Sequence, residues 1–353
     1  MFEIDTPRRL IAFYLVPDFT MLAFTSAIEV LRLANMALGE AAYSWRIVSN
    51  NGEKVRASCG IALEPDSSVA EERRRLSDAQ RPHMILVCGG MQIATFADRV
   101  AEAWLRECRQ RGVALAGLCN GTHVLARAGL LNERRCAIHW ENYPGFAEQF
   151  RTVSVSMGLF EVDGNIHTCA GGTASMDMML DLVKRDHGDT IVDQVCDRAL
   201  IDRVRQPSDR QRRPFAVRMG RLNPTVARVI EAMEDNLSEP LIMDQLADAV
   251  KLSRRQIERL FRNEIGSSPV RYYRKLRLDR ARLLLIQTTM PVIEVAVASG
   301  FVSASHFSKS FREIHGCAPQ EVRTISTITD ANGAGIPSMR GRPRTDVAID
   351  KAA

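Results

Sequence analysis

Three short segments in the first half of the chain place side chains whose types and spacing suit chemistry on a small molecule. The first reads Gly117-Leu118-Cys119-Asn120-Gly121-Thr122 and runs into a helical stretch, His123 to Ala128. Small residues on both sides of one nucleophile-type side chain permit a sharp strand-to-helix turn, which would hold the thiol above a sheet in a strained geometry. At a helix N-terminus the macrodipole and free N–H groups favour thiolate. The same pentapeptide also suits a cysteine that is only a small buried hydrophobe. The second segment, Cys136 to Ile138 followed by His139-Trp140-Glu141-Asn142-Tyr143, puts an imidazole, a carboxylate and two aromatic rings after a short strand. A neighbouring strand end would bring His139 over the same crevice, although a lone histidine also serves as a core residue satisfied by a carbonyl. The third, Ile166 to Thr173 (IHTCAGGT), again runs strand, glycine turn, helix start, and its glycines suit either a close approach to a ligand or a tight turn.

A different chemistry lies further along. Ser253 to Phe261 (SRRQIERLF) has helical spacing, with Ile257, Leu260 and Phe261 on the packed face and Arg254, Arg255, Gln256, Glu258 and Arg259 outward. Ser253 is an N-cap candidate and Gln256 completes a capping-box pattern. With the preceding helix Ile242 to Val250 and the turn Lys251-Leu252, this predicts a helix-turn-helix whose second helix shows a basic surface able to form paired hydrogen bonds. About fifty residues on, Val292 to Phe301 and Ser303 to Arg312 repeat the pattern. There Phe307 and Phe311 point inward, and Ser305, His306, Lys309 and Arg312 take the open face. The helix Pro269 to Gln287 joins the two motifs, so two recognition helices could enter successive major grooves ~34 Å apart.

The elements that must position these groups follow from periodicity. Leu10 to Val16, His83 to Val87 and Val113 to Leu118 are short apolar runs that predict buried strands, and Met21 to Asn35 and Phe96 to Gln110 have helical spacing between them. Strands alternating with helices imply βαβ units and a parallel sheet covered on both faces. Ligands bind such sheets beyond the carboxyl ends of the strands, where Pro17 to Thr20, Cys88-Gly89-Gly90 and the Cys119 loop converge.

The 353 residues are enough for two domains, and 46% hydrophobic with 25% charged residues is ordinary for a globular protein. No run approaches the ~18 uncharged apolar residues of a membrane span, and the N-terminus lacks the order of a secretory signal, so a cytoplasmic protein without membrane contact is expected. The eight cysteines include no C-x-x-C pair, which suggests reduced thiols with neither a metal site nor a disulfide framework. The net charge of +5 divides unevenly: −5 over residues 1–202, +6 over residues 203–222, +3 over residues 223–324 and +1 beyond. Such asymmetry implies different partners for the two halves.

The first 200 residues resemble the class I glutamine amidotransferase-like superfamily in its ThiJ/PfpI branch, through the C-G-G turn at 88–90, the G-L-C-N-G-T elbow, Ala126 to Leu131 (ARAGLL) and His139. Enzymes of that branch pair the elbow cysteine with a histidine and an acid from the first helix. Here the matching stretch, Thr20-Met21-Leu22-Ala23-Phe24, holds no carboxylate, and Asn120 rather than a histidine follows the cysteine. A Cys/His site without its acid lacks part of the machinery that sets pKa and orientation, so the resemblance implies a binding pocket on an enzyme fold. Residues 223–324 resemble the AraC/XylS transcription regulators, whose signature matches Ile293 to Ala296, Gly300-Phe301, Ser305 to Ser308, Phe311-Arg312 and Gly316 to Pro319. His139 to Asn142 with Cys119 to Thr122 further resembles members controlling catabolism of carnitine, choline or glycine betaine.

The expected fold is therefore a doubly wound α/β, flavodoxin-like and amidotransferase-like domain over 1–202, an arginine-rich linker over 203–222, an all-α double helix-turn-helix domain over 223–324 and a disordered tail over 325–353. The expected function is that of a ligand-responsive transcriptional activator. It would be a homodimer that binds double-stranded DNA, a small-molecule effector and RNA polymerase, with no cofactor and no metal. Phe19, Phe24, Gly89, Gly90, Cys119, Asn120, His139, Trp140, Glu141 and Tyr143 are the candidate effector contacts. Ser253, Arg254, Arg255, Gln256, Arg259, Ser303, Ser305, His306, Lys309 and Arg312 are the candidate DNA contacts, and the linker arginines are candidates for phosphate. Two rivals remain: a cysteine-dependent hydrolase or deglycase using Cys119 and His139, and a redox sensor using Cys119.

Overall fold

Alternation along a single strand shows how the sequence builds the first layer pair. In β1 (Arg9–Leu15), Ile11, Phe13 and Leu15 face one hydrophobic cluster while Ala12 and Tyr14 face another, and all five are at most 1% exposed. Only a strand covered on both faces needs apolar residues at every position. The computed structural model describes residues 9–90, 93, 97–211 and 223–323, and the chain divides into two units, Met1–Arg221 and Leu222–Ala353.

In the first unit β1 lies between β2 (Tyr43–Ser49) and a later strand, with the short β3 (Val55–Arg56), β4 (Ala62–Leu63) and β5 (Ser67–Ser68) between them in sequence. The remaining strands are β6 (Met84–Cys88), β7 (Ala114–Leu118), β8 (Arg135–Ala137), β9 (Ser154–Ser156), β10 (Phe160–Asp163) and β11 (Ile166–Cys169). Seven of them form one sheet in the order β10-β11-β7-β6-β1-β2-β5, parallel except for the antiparallel β10/β11 pair. The strand order reverses at β1, so the crevice beyond β1, β6 and β7 is the topological switch point. Backbone hydrogen bonds Val16 N to Cys88 O (3.0 Å) and Gly89 N to Leu118 O (3.3 Å) close the strand ends together there.

One face carries α1 (Met21–Leu38); the other carries α2 (Val69–Arg75), α3 (Arg99–Gln110), α4 (Thr122–Arg127) and α5 (Tyr143–Gln149); α6 (Ala174–His187) and α7 (Asp189–Ala199) complete the α1 face. Helix α1 is 18 residues long and apolar enough to cross a membrane by length and composition, which the reading of uncharged runs passed over because it holds Glu29 and Arg32. Its stripe Ala23, Ala27, Val30, Leu31 and Ala34 is buried in the core. Helix α3 starts at Arg99, since Asp98 caps it by accepting from the N–H of Val100 and of Ala101 at 3.0 Å each. Strand β8 departs from expectation: it pairs with β9 in a separate two-stranded ribbon outside the main sheet.

Among its described residues the second unit is all helical: α8 (Pro224–Asp235), α9 (Met243–Val250), α10 (Arg254–Ile265), α11 (Pro269–Gln287), α12 (Val292–Ala298) and α13 (Ala304–His315). The stripe Val226, Val229, Ile230 and Met233 of α8 is at most 1% exposed. Lys251 adopts φ +56° and Gly300 φ +75° at the ends of α9 and α12, left-handed caps that turn the chain into each second helix. Leu278, Ala281, Leu284 and Leu285 of α11 pack with Phe301, Phe307 and Phe311 in the core of the second motif. Residues 212–222 of the expected linker and the expected tail over 325–353 lie outside the described residues.

Candidate functional site

The elbow forms as its small residues require. Cys119 has φ +56° at the head of a single 3-10 turn, Cys119–Gly121, that joins β7 to α4. A Cβ on Gly121 would lie 2.0 Å from the Val87 carbonyl oxygen, and one on Gly171 only 2.4 Å from the Cβ of Cys119. Glycine is therefore needed for the backbone contacts that seat the cysteine. Asn120 donates its side-chain N–H to the Gly90 carbonyl (3.0 Å), tying the elbow to the C-G-G turn. The expected convergence of three loops thus occurs, and Thr20, at the start of α1, donates its hydroxyl to the Cys119 Sγ at 3.8 Å.

The electrostatics run against a nucleophile. Cys119 is 2% exposed, and burial pushes its thiol up to about 12 despite the opposing Thr20 hydroxyl and Asn120 N–H; Cys169 and Glu141 raise it further. Desolvation outweighs the helix-end effect that favoured thiolate in the sequence reading. His139 does not address the thiol. Its Nδ1 accepts from the Glu141 N–H (3.4 Å) and lies 3.8 Å from the Glu141 carboxylate, and burial lowers its pKa. Among the described residues the Cys119 Sγ and the His139 ring do not bond each other, so no general base is aligned with the sulfur.

The proposed effector contacts separate into two groups. Phe19 and Phe24 are core residues, 0% and 5% exposed, set edge-to-face on each other (5.9 Å) with Phe13 against Phe24 (5.3 Å). Their rings are spent on packing, which corrects the expectation that they offer faces to a ligand. Gly89, Gly90 and Asn120 shape the elbow. His139, Trp140 and Glu141 are partly exposed and adjacent, with the His139 and Trp140 rings 5.7 Å apart, and Tyr143 begins α5 half-buried.

Sequence reasoning missed a strap. Residues 203–211, expected as linker, fold back on the α/β unit. Arg205 donates from its backbone N–H (2.9 Å) and its guanidinium (3.0 and 2.5 Å) to Asp177, and also to the Thr173 hydroxyl (2.8 Å). Arg203 pairs with Asp209 at 2.6 Å, and Gln211 donates to the carbonyls of Ile138 (2.9 Å) and Gly158 (2.8 Å). Arg203 and Arg205 thus have carboxylate partners within the α/β unit and its strap. The strap reaches both the helix after the Gly171-Gly172 turn and the residue preceding His139.

In the helical unit the second helix of each motif is exposed where expected. Some of the residues have local duties. The Ser253 hydroxyl accepts from the Gln256 N–H (3.4 Å), while the Gln256 amide oxygen accepts from the N–H (2.8 Å) and O–H (2.9 Å) of Ser253. Their first role is to cap α10. Ser303 likewise caps α13 through the His306 N–H (3.4 Å), and Arg254 leans on Asp244 at 3.6 Å. Arg255 and Arg259 line an open groove together with Glu258, Arg262 and Asn263, and Ser305, Lys309 and Arg312 line its counterpart with Ser308 and Glu313. Arg262, Asn263, Ser308 and Glu313 were not among the candidate contacts; carrying the helical period one turn past Arg259, Ser305 and Lys309 finds them. Arg277, one of the arginines of α11, serves the fold: its Nε donates to the Ser299 carbonyl (2.9 Å), a second nitrogen to the Gly300 carbonyl, and it lies 4.2 Å from the Phe301 ring centre.

Comparison with known proteins follows the same division. Residues 9–185 match the DJ-1/PfpI family and residues 246–325 a helix-turn-helix domain. Over 313 residues, 89% of this chain and 83% of its relative, the sequence is 41% identical to the HTH-type transcriptional regulator GbdR of Pseudomonas aeruginosa. The chain belongs to the AraC-type regulators that carry a DJ-1/PfpI domain. CdhR of the same organism, also an HTH-type transcriptional regulator, is 37% identical over 336 residues, 95% of this chain and 98% of the relative. A crystal structure of an AraC family transcriptional regulator from Pseudomonas putida is 28% identical, with a TM-score of 0.49, covering 54% of this chain and 99% of that one.

As an AraC-type regulator the protein is a sequence-specific DNA-binding transcription regulator, and the helical unit is its DNA reader. The exposed faces of α10 and α13 have the side chains that major-groove reading needs: cations for phosphate, and forked or hydroxyl donors for base edges. The α/β unit is the DJ-1/PfpI domain, with the elbow of that fold but a protonated, buried thiol.

Proposed function

We propose that the α/β unit is an effector sensor. It binds a small cationic metabolite of the quaternary-amine class in the crevice over Cys119, and its occupancy activates transcription by a cytoplasmic homodimer working with RNA polymerase. The observation that supports a sensor is the state of the elbow: a thiol 2% exposed and held protonated, a threonine hydroxyl as its side-chain partner, and an imidazole turned to Glu141. Such a site keeps the elbow of the fold without a base aligned on its nucleophile. The Trp140 ring and the Glu141 carboxylate, next to each other at the lip, suit a trimethylammonium group, for which an aromatic face contributes ~0.5–2 kcal/mol. The effector switches the protein by binding one arrangement more tightly than another.

Thermal-shift measurements on the full chain with glycine betaine, carnitine and choline, against glycine and arginine as controls, test this reading. A midpoint raised by at least one quaternary amine, and no longer raised in Trp140→Ala, is the expected result. No shift with any of the three would overturn the amine assignment. The left-handed φ of Cys119 favours one other reading, a cysteine-dependent hydrolase or deglycase; rapid iodoacetamide labelling of Cys119 and turnover lost in Cys119→Ser would establish it instead.

A further inference from the structure

The two second helices match without a gap when fifty is added to the residue number. Ser253 and Ser303 cap them, Ile257 and Phe307 are at most 1% exposed, Phe261 and Phe311 are fully buried, and Gly266 and Gly316 end them at φ +71° and +76°. The scaffold is thus the same in both, and differences between the exposed faces are differences in what each face reads.

Those faces carry different chemistry at matching positions. On α10, Arg255 and Arg259 stand one turn apart, exposed, and neither forms an ion pair among the described residues. On α13 the same positions hold Ser305 and Lys309. An arginine fork fits the O6 and N7 acceptors of guanine together, which no other base presents as a pair in the major groove. A lysine is a rotatable point charge suited to phosphate, and a serine hydroxyl donates or accepts and so selects weakly. The neighbouring positions do not redress the balance. The Gln256 amide oxygen is occupied by Ser253, and the His306 ring rests 5.7 Å from the ring of Phe301.

We infer that the two half-sites of the operator are read unequally: Arg255 and Arg259 select guanines in one half, whereas the other half, where Ser305 and Lys309 stand in their places, is held chiefly through its backbone. This rests on the DNA-reading role of the helical unit. The consequence is an operator with one strict and one permissive half.

The test is selection of the full-length protein against a duplex library randomised across two adjacent major grooves, followed by affinity measurements on single-base variants of the selected site. Two guanines in one half should each matter by about tenfold in affinity, and base changes in the other half by under about threefold. Arg255→Lys and Arg259→Lys should flatten the strict half, and the double change Ser305→Arg with Lys309→Arg should create a guanine preference in the permissive one. Equal selectivity in both halves, or a strict half unaltered by the two lysine variants, would overturn the inference while leaving sequence-specific binding intact. Failure to enrich any sequence would instead overturn the DNA-reading role, and the inference with it.

Discussion

The two units treat their chemically capable side chains in opposite ways. In the α/β unit Cys119 and His123 are withdrawn from water, and burial drives the thiol up and the imidazole down, to about 3 for His123. In the helical unit Arg255, Arg259, Lys309 and Arg312 stand exposed on helices whose apolar residues pack inward. A nucleophile-like pattern inside a tight elbow holds a protonated thiol, because desolvation dominates there. A pattern of ordinary surface cations stays open to solvent, and these are the groups proposed to meet DNA.

If that contrast holds, stability should follow pH through the α/β unit, and this is the largest effect expected. His123 packs against both Phe146 and Phe150, ring centres 4.8 and 5.6 Å away, and is held neutral in the folded state. Its pKa is depressed, so the unfolded chain binds the proton first as pH falls. Stability is full above about 6.5 and declines toward about 3 by ~1.4 kcal/mol per pH unit. Urea denaturation of the wild type and of His123→Leu between pH 7 and 4 checks this; identical slopes would refute the buried, neutral imidazole. The next effect belongs to the reader. Arg255→Ala combined with Arg259→Ala should weaken operator binding about 100-fold with no change in the denaturation midpoint. A lowered midpoint would mean that these arginines serve the fold, and the contrast would fail.

Smaller effects sharpen it. Asp177→Asn should destabilise the α/β unit by about 2 kcal/mol, because the 5%-exposed carboxylate that receives three hydrogen bonds from Arg205 loses its charge. Ser253→Ala should cost about 1 kcal/mol through the lost cap, and Ser253→Thr should restore most of it in chemical denaturation. If DNA affinity instead fell with stability unchanged, Ser253 would be a reader and not a cap. Least of all should iodoacetamide touch Cys119: mass spectrometry of the folded protein is expected to show exposed Cys59 alkylated first and Cys119 protected.

The fold was largely legible because its signals are local. Continuous apolar runs such as Met84–Cys88 announce parallel strands, and Ser253 announces a helix start within one residue. β8 was misplaced because three residues paired to Ser154–Ser156 carry no periodicity that distinguishes a ribbon from a sheet strand. The state of Cys119 was not legible for a different reason. Helix-end electrostatics can be read from neighbours in sequence, but burial is decided by Gly171 and Thr20, distant residues brought together by folding. Phe19 and Phe24 misled likewise, since an aromatic near a crevice in sequence says nothing of which way its ring faces. The exposed face of each second helix was easiest, because a helix surface with period 3.6 needs no tertiary knowledge beyond which side is packed.

The strap also changes where the α/β unit ends. A fragment truncated after Asp202, at the boundary that charge and composition suggest, would lose Arg205 and Gln211. The carboxylate of Asp177 would be stranded, and the carbonyls of Ile138 and Gly158 stripped of a shared donor. A fragment extended to Gln211 keeps them. The shorter piece should therefore be the more readily cleaved by protease and the more prone to aggregate, although the nine residues that separate the two contain no strand or helix of their own.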